Sequence, residues 1–407
     1  MNLVFKDQTF SFELLRTLSY TPYGGADIGE CLSTAYRIEE GSFESWYTEW
    51  YKTAERIHAL AQDSMEQGNR ISAREFYMRA SNYYRTAEFF LHGVPSDPRI
   101  LETWGKSRTT FRQAIRLMDT LVEQVEIVYE GGYLPAYFYR VDDLQRPTLL
   151  VHGGFDSTGE ELYLEVAAAA LQRGYNCITF EGPGQGAVIR EQQIPFRNDW
   201  EKVVTPVVDY LLTRPEVDPQ RIALVGISLG GYLAPRAAAF EHRLAACIAN
   251  DGLFSNQFGE MGRKLHQGFT GDLNDPSYMK EFISLLMDKS TNVRWAIENG
   301  MFTFKADSIN ELMEKTEPFT LEGVADKIKC PTLVCEAEDD HFFAGQPQQL
   351  YDALTCPKTF MKFTAEEGAE EHCHFGALLL LNHRLFDWLD QTLHVKEENP
   401  FNETAVV

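Results

Sequence analysis

The amino-acid sequence predicts an α/β fold: a mostly parallel sheet flanked by helices, with a helical region before it and a helical insertion within it. Three observations point there. Strand-like and helix-like segments alternate through residues 123–253 and again through 326–394. A serine bracketed by glycines, Gly226-Ile227-Ser228-Leu229-Gly230-Gly231, sits where a strand pattern gives way to a helix pattern. Residues 1–122 show helical periodicity and no run of strands.

The elements follow in order. Residues 42–61 (SFESWYTEWYKTAERIHALA) space their apolar side chains for a helix, Gln67-Gly68-Asn69 turns, and 71–91 forms a second helix. This hairpin occurs once, so a tetratricopeptide array is not expected. A further helix is expected over 103–122. QVEIVYE and YLPAYFYR alternate on either side of Gly131-Gly132, a β-hairpin signal. PTLLVHGG, YNCITFEG, RIALVGIS and AACIAND then read as buried strands separated by helices, including one over 199–212. Residues 254–325 are helical and rich in Met, Phe and Trp, and are expected to form a lid over the carboxyl edge of the sheet, with the helical region 1–122 as the other part of the cap. CPTLVCEAEDD, a helix near 346–354, KTFMKFT and a last helix complete the core, and 395–407 reads as a tail.

A length of 407 residues exceeds one compact core, in keeping with a core plus insertions. The net charge of -23 opposes binding to nucleic acid or to anionic membrane surfaces, and no apolar run approaches the ~18 residues of a membrane span. The N-terminus lacks the basic and apolar regions of a signal peptide. Seven scattered cysteines form no disulfide framework or zinc-finger spacing, which fits reduced thiols and a cytoplasmic location. A small-molecule substrate is expected, with no cofactor and no metal; a homodimer is compatible with the sequence, although no feature specifies one.

The glycine-bracketed serine matches a nucleophile elbow. The sharp turn lifts the Ser228 hydroxyl above the sheet at the positive end of the next helix, and the Leu229 N–H faces a developing oxyanion. A serine needs a base, and in this chain order an acid and then a histidine follow it. Asp340, after the strand PTLVCEA, fits the acid; Asp339 and Asp251 are alternatives. His372, 32 positions past Asp340, fits the base, with His374 as the alternative. His152-Gly153-Gly154-Phe155-Asp156 ends an early strand, where the N–H of Gly154 or Phe155 supplies a second oxyanion donor. Asp156 is a candidate for binding a polar substrate group, for proton transfer or for capping the loop. Glu181-Gly182-Pro183-Gly184-Gln185-Gly186 lacks P-loop and dinucleotide spacing and is expected to shape the pocket.

From about residue 124 to 392 these residues resemble the α/β-hydrolase superfamily. HGGFDSTGEE, FEGPGQG, GISLGG and EHCH resemble a branch with an N-terminal helical region. That branch includes the 2,6-dihydroxypseudooxynicotine hydrolase and hydrolases of fungal polyketide and polyketide–peptide biosynthesis. TLSYTPYGGADIGE and SAREFYMRASNYYRTAEFFL are most similar to the 20-hydroxy-prefusarin hydrolase type. The resemblance implies a Ser228–His372–Asp340 mechanism on a carbonyl group, cutting a C–C, ester or thioester bond. A general esterase or acylaminoacyl-peptidase-like enzyme is the alternative. A non-hydrolytic cyclisation or binding protein on the same fold is the rival from another class.

Overall fold

The structure, a computed structural model, describes residues 1, 3–256, 271 and 275–395. Its centre is an eight-stranded sheet in the order β1-β2-β4-β3-β5-β6-β7-β8. The strands are β1 (Leu121–Tyr129), β2 (Gly132–Arg140), β3 (Arg146–His152), β4 (Asn176–Phe180), β5 (Val217–Ile227), β6 (Ala246–Asn250), β7 (Thr332–Ala337) and β8 (Lys358–Phe363). β1 pairs antiparallel with β2, and β2 with β4; every other pairing is parallel. Burial explains the pattern. β4 and β6 are buried along their whole length, as strands covered on both faces must be, whereas edge strand β1 alternates over its second half.

The hairpin turn lies one residue earlier than its glycine pair suggests. Tyr129 pairs with Gly132, so the turn is Glu130-Gly131, both at positive φ (41° and 85°). That is the two-residue hairpin geometry whose twist matches the strands.

Five helices precede the sheet: α1 (Gln8–Ser19), α2 (Ile28–Ala35), α3 (Phe43–Glu66), α4 (Arg70–Glu88) and α5 (Pro98–Arg116). Asp7, Ser42 and Asp97 cap α1, α3 and α5 with side-chain oxygens. The helix expected over 103–122 starts earlier, at Pro98 behind its Asp97 cap. It stops at Arg116 because Leu121 enters β1 opposite Arg140. Trp46, Trp50, Tyr83 and Phe90 build a core within these helices, separate from the two on either face of the sheet.

Of residues 254–325, three helices are described: Pro276–Lys289, Thr291–Thr303 and Ile309–Thr316. The rest of the expected lid over 257–270 and 272–274, and the expected tail over 396–407, lie outside the described residues. Trp295 of Thr291–Thr303 stacks on Phe89 (5.0 Å, 16°) and meets Phe155 edge-on at 5.8 Å. The insertion, the N-terminal helices and the loop after β3 therefore meet at one point above the carboxyl ends of the strands. No helix among the described residues is long and apolar enough to cross a membrane.

Candidate active site

β5 ends at Ile227, and the next helix (Gly230–Ala238) starts two residues after Ser228. Ser228 takes φ 61°, a left-handed conformation, and its N–H donates to Asn250 O at 2.6 Å. A turn this tight excludes side chains: a Cβ on Gly226 would lie 2.0 Å from Gly230 O. Gly154, on the loop after β3, packs as closely, since a Cβ there would lie 2.5 Å from the Leu229 nitrogen. Ser228, Leu229, Gly153, Gly154 and Phe155 thus share one wall of a cavity that His372 also lines.

The loops after β7 and β8 supply the other two groups. Asp340 is buried, and its Oδ1 accepts the N–H groups of Phe342 (2.8 Å) and Phe343 (3.2 Å). That fixes the carboxylate so that Oδ2 lies 2.9 Å from His372 Nδ1. His372 Nε2 lies 2.9 Å from Ser228 Oγ. Phe342 and Phe343 present their edges to the imidazole at 4.9 and 5.0 Å. Burial drives the Asp340 carboxyl upward, but the His372 charge and the N–H bonds prevail and hold it at about 2. Burial alone would lower His372; the neighbouring Asp340 and Asp251 carboxylates outweigh it and hold the imidazole well above the ordinary histidine range.

The alternatives separate clearly. Asp339 is exposed, and its N–H is turned to Glu370 O. Asp251 is fully enclosed, 3.1 Å from His372 Nδ1, and accepts the Cys373 N–H at 2.6 Å. His374 is likewise enclosed, on the far side of Asp251 from His372, with Nε2 3.2 Å from Asp251 Oδ1. His152 hydrogen-bonds Gly153 O and Trp200 Nε1, and burial pushes it down to about 4, so it is a neutral packing group. Asp251, His372 and Cys373 place donor atoms within 4.8 Å of one another. Ser228 and Asp340 already engage both His372 nitrogens, and burial pushes the Cys373 thiol up to about 12, which opposes a thiolate ligand.

The loop Glu181–Gly186 was expected to shape the pocket, yet none of its residues lines the cavity. It braces the wall from behind: Gln185 Nε2 donates to Gly153 O (2.8 Å) and Gly154 O (3.2 Å).

That the N-terminal helical region helps to wall the pocket was expected; the residues that do so were not legible in the sequence. α1 contributes Phe12, Glu13 and Arg16 to it. Arg16 donates to Asp156 Oδ2 (2.6 Å) and with two nitrogens to Glu161 (2.9 and 2.8 Å). Arg85 of α4 reaches the same Asp156 oxygen at 2.5 Å. Asp156 is therefore doubly ion-paired; against the upward push of burial, the two guanidiniums hold its carboxyl at about 2. This pairing is neither a loop cap nor the setting of a proton carrier. The Tyr20 hydroxyl lies 2.5 Å from Glu161 Oε1 and 2.7 Å from Glu165 Oε1. A phenol has one proton to give. It goes to the arginine-bound Glu161, so Glu165 must hold a proton of its own. Burial, with Glu161 adding to it, accordingly pushes Glu165 up to about 8.

The fold agrees with the comparisons. The model of the alpha/beta hydrolase family matches residues 148–377. The chain belongs to this family. A hydrolase of a Fusarium species is 37% identical over 98% of this chain and all of its own length. The 20-hydroxy-prefusarin hydrolase of Gibberella moniliformis is 36% identical over the same shares. Among solved structures, that of the 2,6-dihydroxy-pseudo-oxynicotine hydrolase is similar in fold, with a TM-score of 0.73 at 22% identity, over 92% of this chain and 95% of that one. These likenesses span the N-terminal helices as well as the sheet, so the alpha/beta hydrolase core and its helical prefix occur together in the relatives.

Proposed function

We propose that this hydrolase is a serine enzyme acting on a carbonyl-containing intermediate of secondary metabolism, of polyketide or polyketide–peptide type. The observation that carries the mechanism is the unbroken line from Ser228 Oγ through His372 to Asp340, each step 2.9 Å. Ser228 attacks the carbonyl. His372 takes its proton and returns it to the leaving group. Asp340 holds the imidazole tautomer and stabilises its charged form. The N–H groups of Leu229 and of Gly154 or Phe155 receive the oxyanion. The substrate class is supported by the similarity to the 20-hydroxy-prefusarin hydrolase and by the aromatic lining of Phe12, Trp295, Phe342, Phe343 and Phe375, which suits a flat, largely apolar molecule. Phe12, Glu13 and Arg16 of α1, with Trp295 and Ala296 of the helix Thr291–Thr303, wall this cavity and select what enters it.

The test is Ser228→Ala with a fluorophosphonate probe and a substrate panel of aryl esters, aminoacyl amides and aryl β-diketones. Ser228→Ala should fold normally, lose probe labelling and lose turnover. Retention of full labelling in that variant overturns the reading, and rapid amide cleavage by the parent would move the substrate class to peptides.

A further inference from the structure

His372 Nδ1 faces two carboxylates, Asp340 at 2.9 Å and Asp251 at 3.1 Å. Two full negative charges there would lock a proton onto His372 and leave Ser228 without a base at neutral pH. His374, two residues on, resolves the conflict. Its Nδ1 lies 3.3 Å from Ala369 O, a group that only accepts, so Nδ1 carries a hydrogen. Its Nε2 faces Asp251 Oδ1 at 3.2 Å. Both atoms are enclosed, and neither makes a regular hydrogen bond to any described residue, so at 3.2 Å they meet as a close ion-pair contact. A bare ring nitrogen and a bare carboxylate oxygen would be two acceptors in forced contact. One proton between them removes the repulsion. The backbone builds this contact on purpose-made geometry: Cys373 and His374 both take left-handed φ (54° and 59°), and the Cys373 N–H holds the other oxygen of Asp251.

We propose that His374 is a positioning residue acting through Asp251: the two hold one proton between them, which cancels the second negative charge beside His372 and leaves Asp340 as its one full counter-charge. The proposal rests on the reading of Ser228 and His372 as nucleophile and base. Six further titratable groups face the cluster: Asp340, Glu336, His341, Cys335, Cys373 and Glu165. None of them sits where His374 does, against the free oxygen of Asp251.

The experiment is the pH dependence of Ser228 labelling by a fluorophosphonate, in which Ser228 Oγ bonds to phosphorus and fluoride leaves. His372 must be neutral, so the rate rises with pH along a lower limb. In His374→Gln the unmasked Asp251 should move that limb to higher pH by about one unit or more. Adding Asp251→Asn should return it to the position of Asp251→Asn alone. A folded His374→Gln protein whose limb stays put, or an alkaline shift that survives Asp251→Asn, overturns the proposal. A second readout needs no His374 variant: a far-downfield imidazole N–H resonance should survive in Asp340→Asn and vanish in Asp251→Asn, and the reverse pattern is a refutation. If labelling persists in Ser228→Ala, the nucleophile assignment itself fails, a result distinct from any limb shift.

Discussion

Arg16→Met tests how the N-terminal helices are joined to the sheet. Arg16 is buried and gives three charge-assisted hydrogen bonds, one to Asp156 and two to Glu161, while its guanidinium lies 5.4 Å from the centre of the Phe375 ring. Methionine keeps much of the apolar stem but leaves Glu13, Asp156, Glu161 and Glu165 facing Arg85 alone. Stripping one partner from a buried pair costs about 3–5 kcal/mol, because the remaining charges stay out of water. Unfolding entropy of about 2.1 cal/mol/K per residue over 407 residues is about 0.85 kcal/mol/K, so the melting temperature should fall by about 4–6 °C. The exposed pair Arg70–Asp119 is the control, and Arg70→Met should move the melting temperature by less than about 1 °C. Differential scanning calorimetry at pH 5 and pH 8 reads the effect. The sign is fixed: without Arg16 the orphaned carboxylates have raised pKa values in the folded protein, so the lost stability is partly restored as pH falls and is greatest at pH 8. An Arg16→Met protein that melts with the parent at pH 8 would refute the view that this cluster holds the two regions together.

Other predictions follow from the same geometry. Gly154→Ala pushes a methyl group against the Leu229 nitrogen and should slow Ser228 labelling about 100-fold or more in a protein that still folds; an unchanged rate would place the oxyanion elsewhere. Because the Asp340 carboxylate outweighs burial and raises His372, the lower limb of the parent's labelling profile should lie above pH 6.5, and a limb below 6 contradicts the geometry. Glu165 is raised to about 8, so the stability it contributes is complete below the ordinary glutamate pKa and is lost as pH rises toward 8. The melting temperature of Glu165→Gln should accordingly depend less on pH between 5 and 9 than that of the parent.

The sheet was legible because its signals are local. Buried strands, glycine turns and the elbow each occupy fewer than a dozen consecutive residues. That Ser228, Asp340 and His372 meet was readable from their chain order after particular strands. The ranking of Asp340 over Asp339 follows in the structure from burial, one residue making the difference between an enclosed carboxylate and an exposed one. The hairpin turn and the end of α5 were misplaced by a few residues because strand register, a long-range property, sets both. The cluster of Arg16, Arg85, Asp156, Glu161 and Glu165 was invisible for the same reason. Arg16 and Glu161 are 145 positions apart, and each reads in isolation as one charged residue on a helix. Asp251 and His374 are both alternatives to the acid and base in the sequence, but their contact with each other depends on two loops meeting in space.

The cavity has two authors in the chain. The residues matched by the family model, 148–377, build the end that holds Ser228, Leu229 and His372. Phe12, Glu13 and Arg16 come from a helix that begins 140 positions before that match starts. Classification by the shared segment therefore groups proteins by the Ser228 end of the cavity and is blind to the facing wall. Two members with identical elbows can differ there, and an exchange of α1 between relatives would alter one wall while leaving Ser228, His372 and Asp340 in place.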